Sequence, residues 1–212
     1  MIVTLSSLKG GVGKSTLSLM LATAIAEAGA KVLLVDADSQ GSVSDWAAAR
    51  ESDGPFSVVG MAHANIHKQL PKIAADYDHV IIDTPPRIAE VTRSAILAAD
   101  VVLIPVSPSA FDNWASDSTT AIVKEAQVFK DDLLTAFVIS KKIVGTAIAA
   151  NIVTALQDYD IPVFQSPVSQ RVVFAECASG HTLPELEAKG AAAKEVSSLS
   201  QELLKFVDLE KW

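Results

Sequence analysis

The stretch KGGVGKST, Lys9 to Thr16, directly follows the apolar run IVTL, Ile2 to Leu5. A general phosphate loop reads G-x-x-x-x-G-K-[ST], with its first glycine five places before the second. Counted back from Gly13, that place is Leu8, so the first glycine is missing. Beside it stand a lysine, Lys9, and two glycines, Gly10 and Gly11. The context is nevertheless that of a phosphate loop: a strand over 2–6, a glycine-rich turn, then a helix opening near Lys14. Glycines let backbone N–H groups face inward as an anion-binding nest, and a helix N-terminus adds partial positive charge. Lys14 would reach the β- and γ-phosphates, and the Ser15 hydroxyl would bind Mg2+.

Outward from this loop the chain alternates short β-branched runs with longer, alanine-rich segments of helical period. The runs are 2–6, 31–36, 56–60, 79–83, 101–106 and 134–140, with a weaker one at 162–164. Several are apolar without alternation, as strands buried on both faces of a parallel sheet are. Helices are expected at 14–28, 43–50, 64–75, 88–98, 113–129, 146–158 and 188–207. In the first, Leu17, Leu21 and Ile25 recur every four places and Gly29 is suited to cap the end. This order predicts an α/β fold: a doubly wound, mostly parallel sheet with helices on both faces, forming one domain over residues 1–212. Ligands of such sheets bind beyond the carboxyl ends of the strands. Two of those ends carry acids. VLLVDADSQGS presents Asp36 and Asp38 on one side of an extended chain, and HVIIDTPP ends on Asp83 before prolines turn the chain.

Composition narrows the classes. The net charge is −8, from 17 basic and 25 acidic residues, which argues against a surface coated for nucleic acid but not against a local basic patch. Cys177 is the single cysteine, so neither an intrachain disulfide nor a cysteine-built metal site can be completed within one chain. No apolar run approaches the ~20 residues of a membrane span, and a cytoplasmic protein is expected. His63 and His67 share i,i+4 spacing without an evident third ligand, and read as solvated helix residues. Trp46 and Trp114 read as packing residues.

K-G-G-x-G-K-[ST] is the deviant Walker A loop, and through it the chain resembles the ParA/MinD family of ATPases. The likeness continues through VDADSQG, HVIIDTPP, LIPVSPS (103–109) and QRVVFAE (170–176), covering nearly the whole chain. It implies an ATP- and Mg2+-dependent ATPase that closes as a homodimer with ATP sandwiched between subunits. Nucleotide contacts fall on Lys9, Gly10, Gly11, Val12, Gly13, Lys14, Ser15 and Thr16, and metal contacts on Ser15, Asp36 and Asp83. Catalytic roles fall on Lys14, on Asp38 as the residue that sets the attacking water, and on Lys9, which reaches the partner's phosphates as an arginine finger does. Ser39 stands where the family usually has proline, leaving that loop less rigid. The adenine pocket is expected around Ser140, Lys141 and Ser166 to Ser169, with Pro167 at its edge.

The resemblance further implies non-specific DNA binding in the ATP state, centred on Arg171 with Lys141 and Lys142, and extended by Lys124 and Lys130 if they converge. It implies a centromere-binding or cargo-adaptor partner that stimulates hydrolysis, segregation or positioning of plasmid, chromosome or other cargo, and association with the nucleoid. A MinD-like membrane-bound alternative is disfavoured by the tail ELLKFVDLEKW, which mixes acids with its lysines. Its apolar stripe (Val196, Leu199, Leu203, Phe206) reads as packing against the sheet. A dethiobiotin-synthetase-like ligase is the remaining alternative. The nitrogenase iron protein shares the loop but needs two cluster cysteines per subunit, which this chain lacks.

Overall fold

Six strands form the sheet: β1 (Ile2–Leu5), β2 (Val32–Asp36), β3 (Ser57–Gly60), β4 (His79–Asp83), β5 (Val101–Val106) and β6 (Leu134–Ile139). They stand in the order β3-β2-β4-β1-β5-β6, and every neighbouring pair is parallel. The computed structural model describes residues 1–108, 113–144 and 148–212, with side chains outside 109–115 and 145–151. Ser109, the side chain of Trp114 and the start of the helix expected at 146–158 lie outside the described residues.

Alternate residues of the strands feed opposite layers. Val3, Leu5, Leu34 and Ile81 pack with α1 (Lys14–Glu27) and α9 (Ala191–Phe206). On the other face, Leu33, Val35, Val80 and Ile82 pack with α3 (Ile66–Ile73) and α4 (Ala89–Ala98). Val102, Ile104, Phe137 and Ile139 meet α5 (Asn113–Gln127) and α6 (Ile148–Leu156). Burial on both faces explains the unbroken apolar runs. α1 ends as its sequence predicts. Gly29 adopts φ 98°, its N–H bonds the Ala26 carbonyl at 2.9 Å, and the Ala30 N–H reaches Ile25 at 3.4 Å. This is the paired Schellman closure that favours glycine at the left-handed position.

Two expectations need correction, and two helices were not foreseen. Residues 162–164 form no strand: Val163 makes an isolated bridge to Phe137, with Phe137 N–H donating to Pro162 and Phe164 N–H to Phe137. Two short helices, α7 (Val172–Cys177) and α8 (Leu183–Glu187), are too brief to show a helical period. The C-terminal helix starts at Ala191 rather than 188, after Gly190 as N-cap. The remaining short helix, α2 (Ser42–Ala48), follows Gly41.

Candidate nucleotide-binding site

The phosphate loop lies at the carboxyl end of β1, in the middle of the sheet. Leu8, in place of the missing glycine, packs against the β5–β6 core cluster, and its N–H is held by Thr119 Oγ1 at 3.1 Å. The loop therefore turns one residue later, where Lys9 to Gly11 begin the glycine-rich arc. Gly13 has φ 90°, and an added Cβ would come within 3.7 Å of Lys141 Cε and 3.8 Å of Ser140 Cβ; the left-handed backbone makes any other residue strained. The Val12 carbonyl accepts from Ser140 Oγ at 2.6 Å, tying the loop to the end of β6.

Two features suit α1 to an anion. Gly13 provides no side-chain cap, and no acid lies in the first turn, so the opening N–H groups stay available for phosphate oxygens. The Lys14 ammonium donates to the Lys9 carbonyl at 3.1 Å. Burial pulls its pKa below the usual lysine value, against the opposing charges of Asp83 and Asp38.

The acids sit as the strand ends predicted: Asp36 and Asp83 are register partners on β2 and β4. Their surroundings differ. Asp36 Oδ1 accepts from the Asp38 N–H at 3.2 Å, and Oδ2 accepts from both the N–H and Oγ of Ser44, each at 2.8 Å. Asp36 thus anchors the start of α2. Asp83 Oδ1 accepts from Ser18 Oγ at 3.2 Å, while Oδ2 is buried without a partner. Burial pushes its pKa up to about 7, against the hydrogen bond from Ser15, the charge of Lys14 and the bond from Ser18, and with a further push from Asp36.

An orphaned, buried carboxylate oxygen close to the Ser15 hydroxyl fits a hydrated Mg2+. Among the described residues no three His, Cys, Asp or Glu side chains could hold a metal by themselves, so such an ion would depend on phosphate oxygens and water. Asp38 is partly exposed and accepts from the Gln40 N–H at 2.9 Å. The loop after β4 closes on the phosphate loop, with Arg87 N–H donating to the Leu8 carbonyl at 3.1 Å.

Beside Gly13 and Thr16 opens a cavity of about 240 Å3, lined by Ser140, Lys141, Ser169 and Arg171, with Phe174 from α7 and Ala178 just past its end. This is the region expected for the base. Its outer wall is Val168 to Arg171, and Pro167 stands next to that wall rather than in it. Lys141 and Arg171 line this cavity, and the Lys142 backbone bridges that of Ser169. Arg171 meets Glu195 through two bonds, at 2.7 and 3.1 Å. Lys130 does not join them: it bonds Ala99 and Asp100 at the amino end of β5, at the opposite end of the strands, and Lys124 lies in the last turn of α5 leading to it.

Sequence reasoning missed Ser18, Ser44, Phe174 and Glu195. Only Ser18 left a signal, standing one helical turn after Ser15.

Comparison with known proteins agrees with this geometry. Residues 3–184 match the family described as the CobQ/CobB/MinD/ParA nucleotide binding domain. The chain belongs to that family. It is a ParA/MinD-type ATPase with a deviant Walker A loop. It is 29% identical over 207 residues to the maintenance of carboxysome distribution protein A of Halothiobacillus neapolitanus, spanning 95% of each chain. It is 27% identical to the chromosome partitioning protein ParA of Myxococcus xanthus, over 96% of this chain and 88% of that one. In fold it resembles the cobyrinic acid a,c-diamide synthase of Mycobacterium smegmatis, solved with bound ADP and magnesium. That likeness has a TM-score of 0.77 at 19% identity, over 98% of this chain and 95% of the other. As a ParA/MinD-type ATPase the chain falls with the positioning and partition ATPases. No helix among its described residues is long and apolar enough to cross a membrane.

Proposed function

We propose that this protein is a single-domain positioning ATPase whose ATP-bound form dimerises face to face and binds DNA without sequence preference. The observation that carries this reading is its similarity, along nearly its full length, to a carboxysome distribution protein and a chromosome partitioning ParA. Lys14 and the opening N–H groups of α1 hold the triphosphate. Ser15 and Asp83 hold Mg2+, which offsets charge on the phosphates, and Asp36 keeps the adjoining loop in place. Asp38 orients the attacking water. Lys9 completes the site of the second subunit, where a cation delivered in trans stabilises charge on the transferring phosphoryl group. Lys141, Lys142 and Arg171 contact DNA phosphates, so retention on DNA depends on salt rather than sequence. A DNA- or cargo-bound adaptor stimulates hydrolysis and returns the protein to a released, nucleoid-wandering form.

The tail supports this reading over a membrane-bound one. Val196, Leu199 and Leu203 are buried, Phe206 packs edge-on against Phe164, and Trp212 Nε1 donates to Ser200 Oγ at 2.9 Å. An apolar stripe engaged in this way is not presented to lipid.

The test is retention of the purified protein on random-sequence duplex DNA with Mg-ATP, with Mg-ADP and without nucleotide, at two salt concentrations. Retention only with ATP, weakened by salt, is expected; none in any state would sink the DNA reading. Lys9→Ala separates the dimer from the site. The substitution keeps the carbonyl that accepts from Lys14, so ATP binding should persist while ATP-dependent dimerisation, read by light scattering, and adaptor-stimulated turnover fall. Undiminished dimerisation and turnover would remove Lys9 from its role in trans.

A further inference from the structure

The outer wall of the cavity beside the phosphate loop, Val168 to Arg171, is the end of a short segment that begins at Gln165. One edge is secured by backbone bonds to the end of β6: Val168 N–H donates to Ile139, Lys142 N–H to Val168, and Gln170 N–H to Lys142. The other edge is secured by α9 through two glutamates. Glu202 accepts the N–H of Gln165 at 2.7 Å on one oxygen and that of Ser166 at 2.8 Å on the other. Glu195 accepts the Ser169 N–H at 3.0 Å and its hydroxyl at 2.8 Å, together with the Arg171 guanidinium at 2.7 and 3.1 Å.

The two glutamates lie seven residues apart, and two helical turns bring them to the same flank, beside the buried stripe of Val196, Leu199 and Leu203. The Glu195 side chain is 21% exposed. Burial pushes its carboxyl up, but the bonds from Arg171 and Ser169 outweigh that push and hold it below the usual glutamate value. It is therefore charged at neutral pH, and its bonds are of the strong, charge-assisted kind. The core stripe already fastens α9 to α1. The carboxylates fix the height and tilt of the segment that faces Gly13 and Thr16 across the cavity.

We propose that Glu195 and Glu202 are positioning residues for the nucleotide base: α9 clamps the segment 165–171 so that the cavity has a fixed width. This rests on the reading that the cavity beside Gly13 takes the base while α1 takes the phosphates. The clamp acts only on the part of affinity that comes from the nucleoside. The triphosphate is gripped by backbone and Lys14, on the far side of Gly13, and does not depend on it.

The two contributions are separated by titrating the full-length protein with Mg-ATP and with Mg-tripolyphosphate in a calorimeter. Wild type is compared with Glu195→Gln and Glu202→Gln, which keep side-chain volume and the buried stripe. Wild type should prefer ATP. Glu195→Gln should weaken ATP roughly tenfold, as expected for weakening several bonds to a charged group, and leave tripolyphosphate unchanged. Glu202→Gln should do the same to a smaller degree. Unchanged ATP affinity in both variants overturns the clamp. Equal weakening of both ligands also overturns it, because the damage would then be general. Equal affinity of wild type for the two ligands overturns it at its root, since the base would not occupy the cavity.

Discussion

The ends of β2 and β4 hold the same residue in the same register, and they do opposite work. Asp36 and Asp83 are paired across the sheet and nearly inaccessible, at 1% and 0% exposure. Asp36 meets three donors, all in the loop and helix that follow it. Asp83 meets Ser18 on one oxygen, with the Ser15 hydroxyl also beside the carboxylate, and its other oxygen is buried without a hydrogen bond. Burial therefore raises Asp83 to about 7. Strand position brings a carboxylate to the site; the donors supplied by the next segment decide whether it serves the fold or keeps a site open for a ligand.

The sharpest break of that contrast is Asp83→Asn. Mg-dependent ATP turnover should fall roughly 100-fold, the scale on which metal-supporting groups act. The same substitution should stabilise the protein measured without metal or nucleotide. The folded pKa of about 7 lies above the ordinary aspartate value of 3.8, so ionising Asp83 costs stability progressively as pH rises from about 4 to about 7 and no further above it. Asparagine carries no such cost. The advantage of Asp83→Asn should thus be absent near pH 4 and level off above pH 7, on the order of 2 to 4 kcal/mol. Urea unfolding at pH 5, 7 and 8 reads this directly; a variant less stable than wild type at pH 8 would mean the second oxygen has a partner after all.

Asp36→Ala should move stability the other way, by about 2 to 3 kcal/mol, because buried donors lose their acceptor. The Ser44→Ala variant, which removes one of the three bonds and keeps the carboxylate, should cost about 1 kcal/mol. If Asp36→Ala unfolded at the same urea concentration as wild type, Asp36 would be no anchor, and the contrast with Asp83 would dissolve.

The phosphate loop, its strand, the acids at the strand ends and the parallel sheet were legible because each is a local pattern followed by a rule about where strand ends go. The helix-start role of Asp36 depends on Ser44, eight residues on, in a loop whose path no local signal gives. The partner of Arg171 was hidden for the same reason: Glu195 belongs to another helix. The weak run 162–164 was mistaken for a strand because its apolar residues meet β6 only at Phe137. The opposite placement of Lys130 was equally out of reach, since a charge count says nothing of which end of a sheet a lysine occupies.

The strand order has a consequence for how the protein comes into being. β1 is made before β4 and β5, yet these are its neighbours: Ile2 pairs with Val80 and Val3 with Val101. The strand that carries the phosphate loop therefore has no partner until β4 has been made, and lacks its second until β5 follows. Pairing across such separations carries a large loop-closure cost before any contact repays it, which slows folding relative to chains built from local contacts. The strand on which the nucleotide site is built is thus held in place only by chain made long after it.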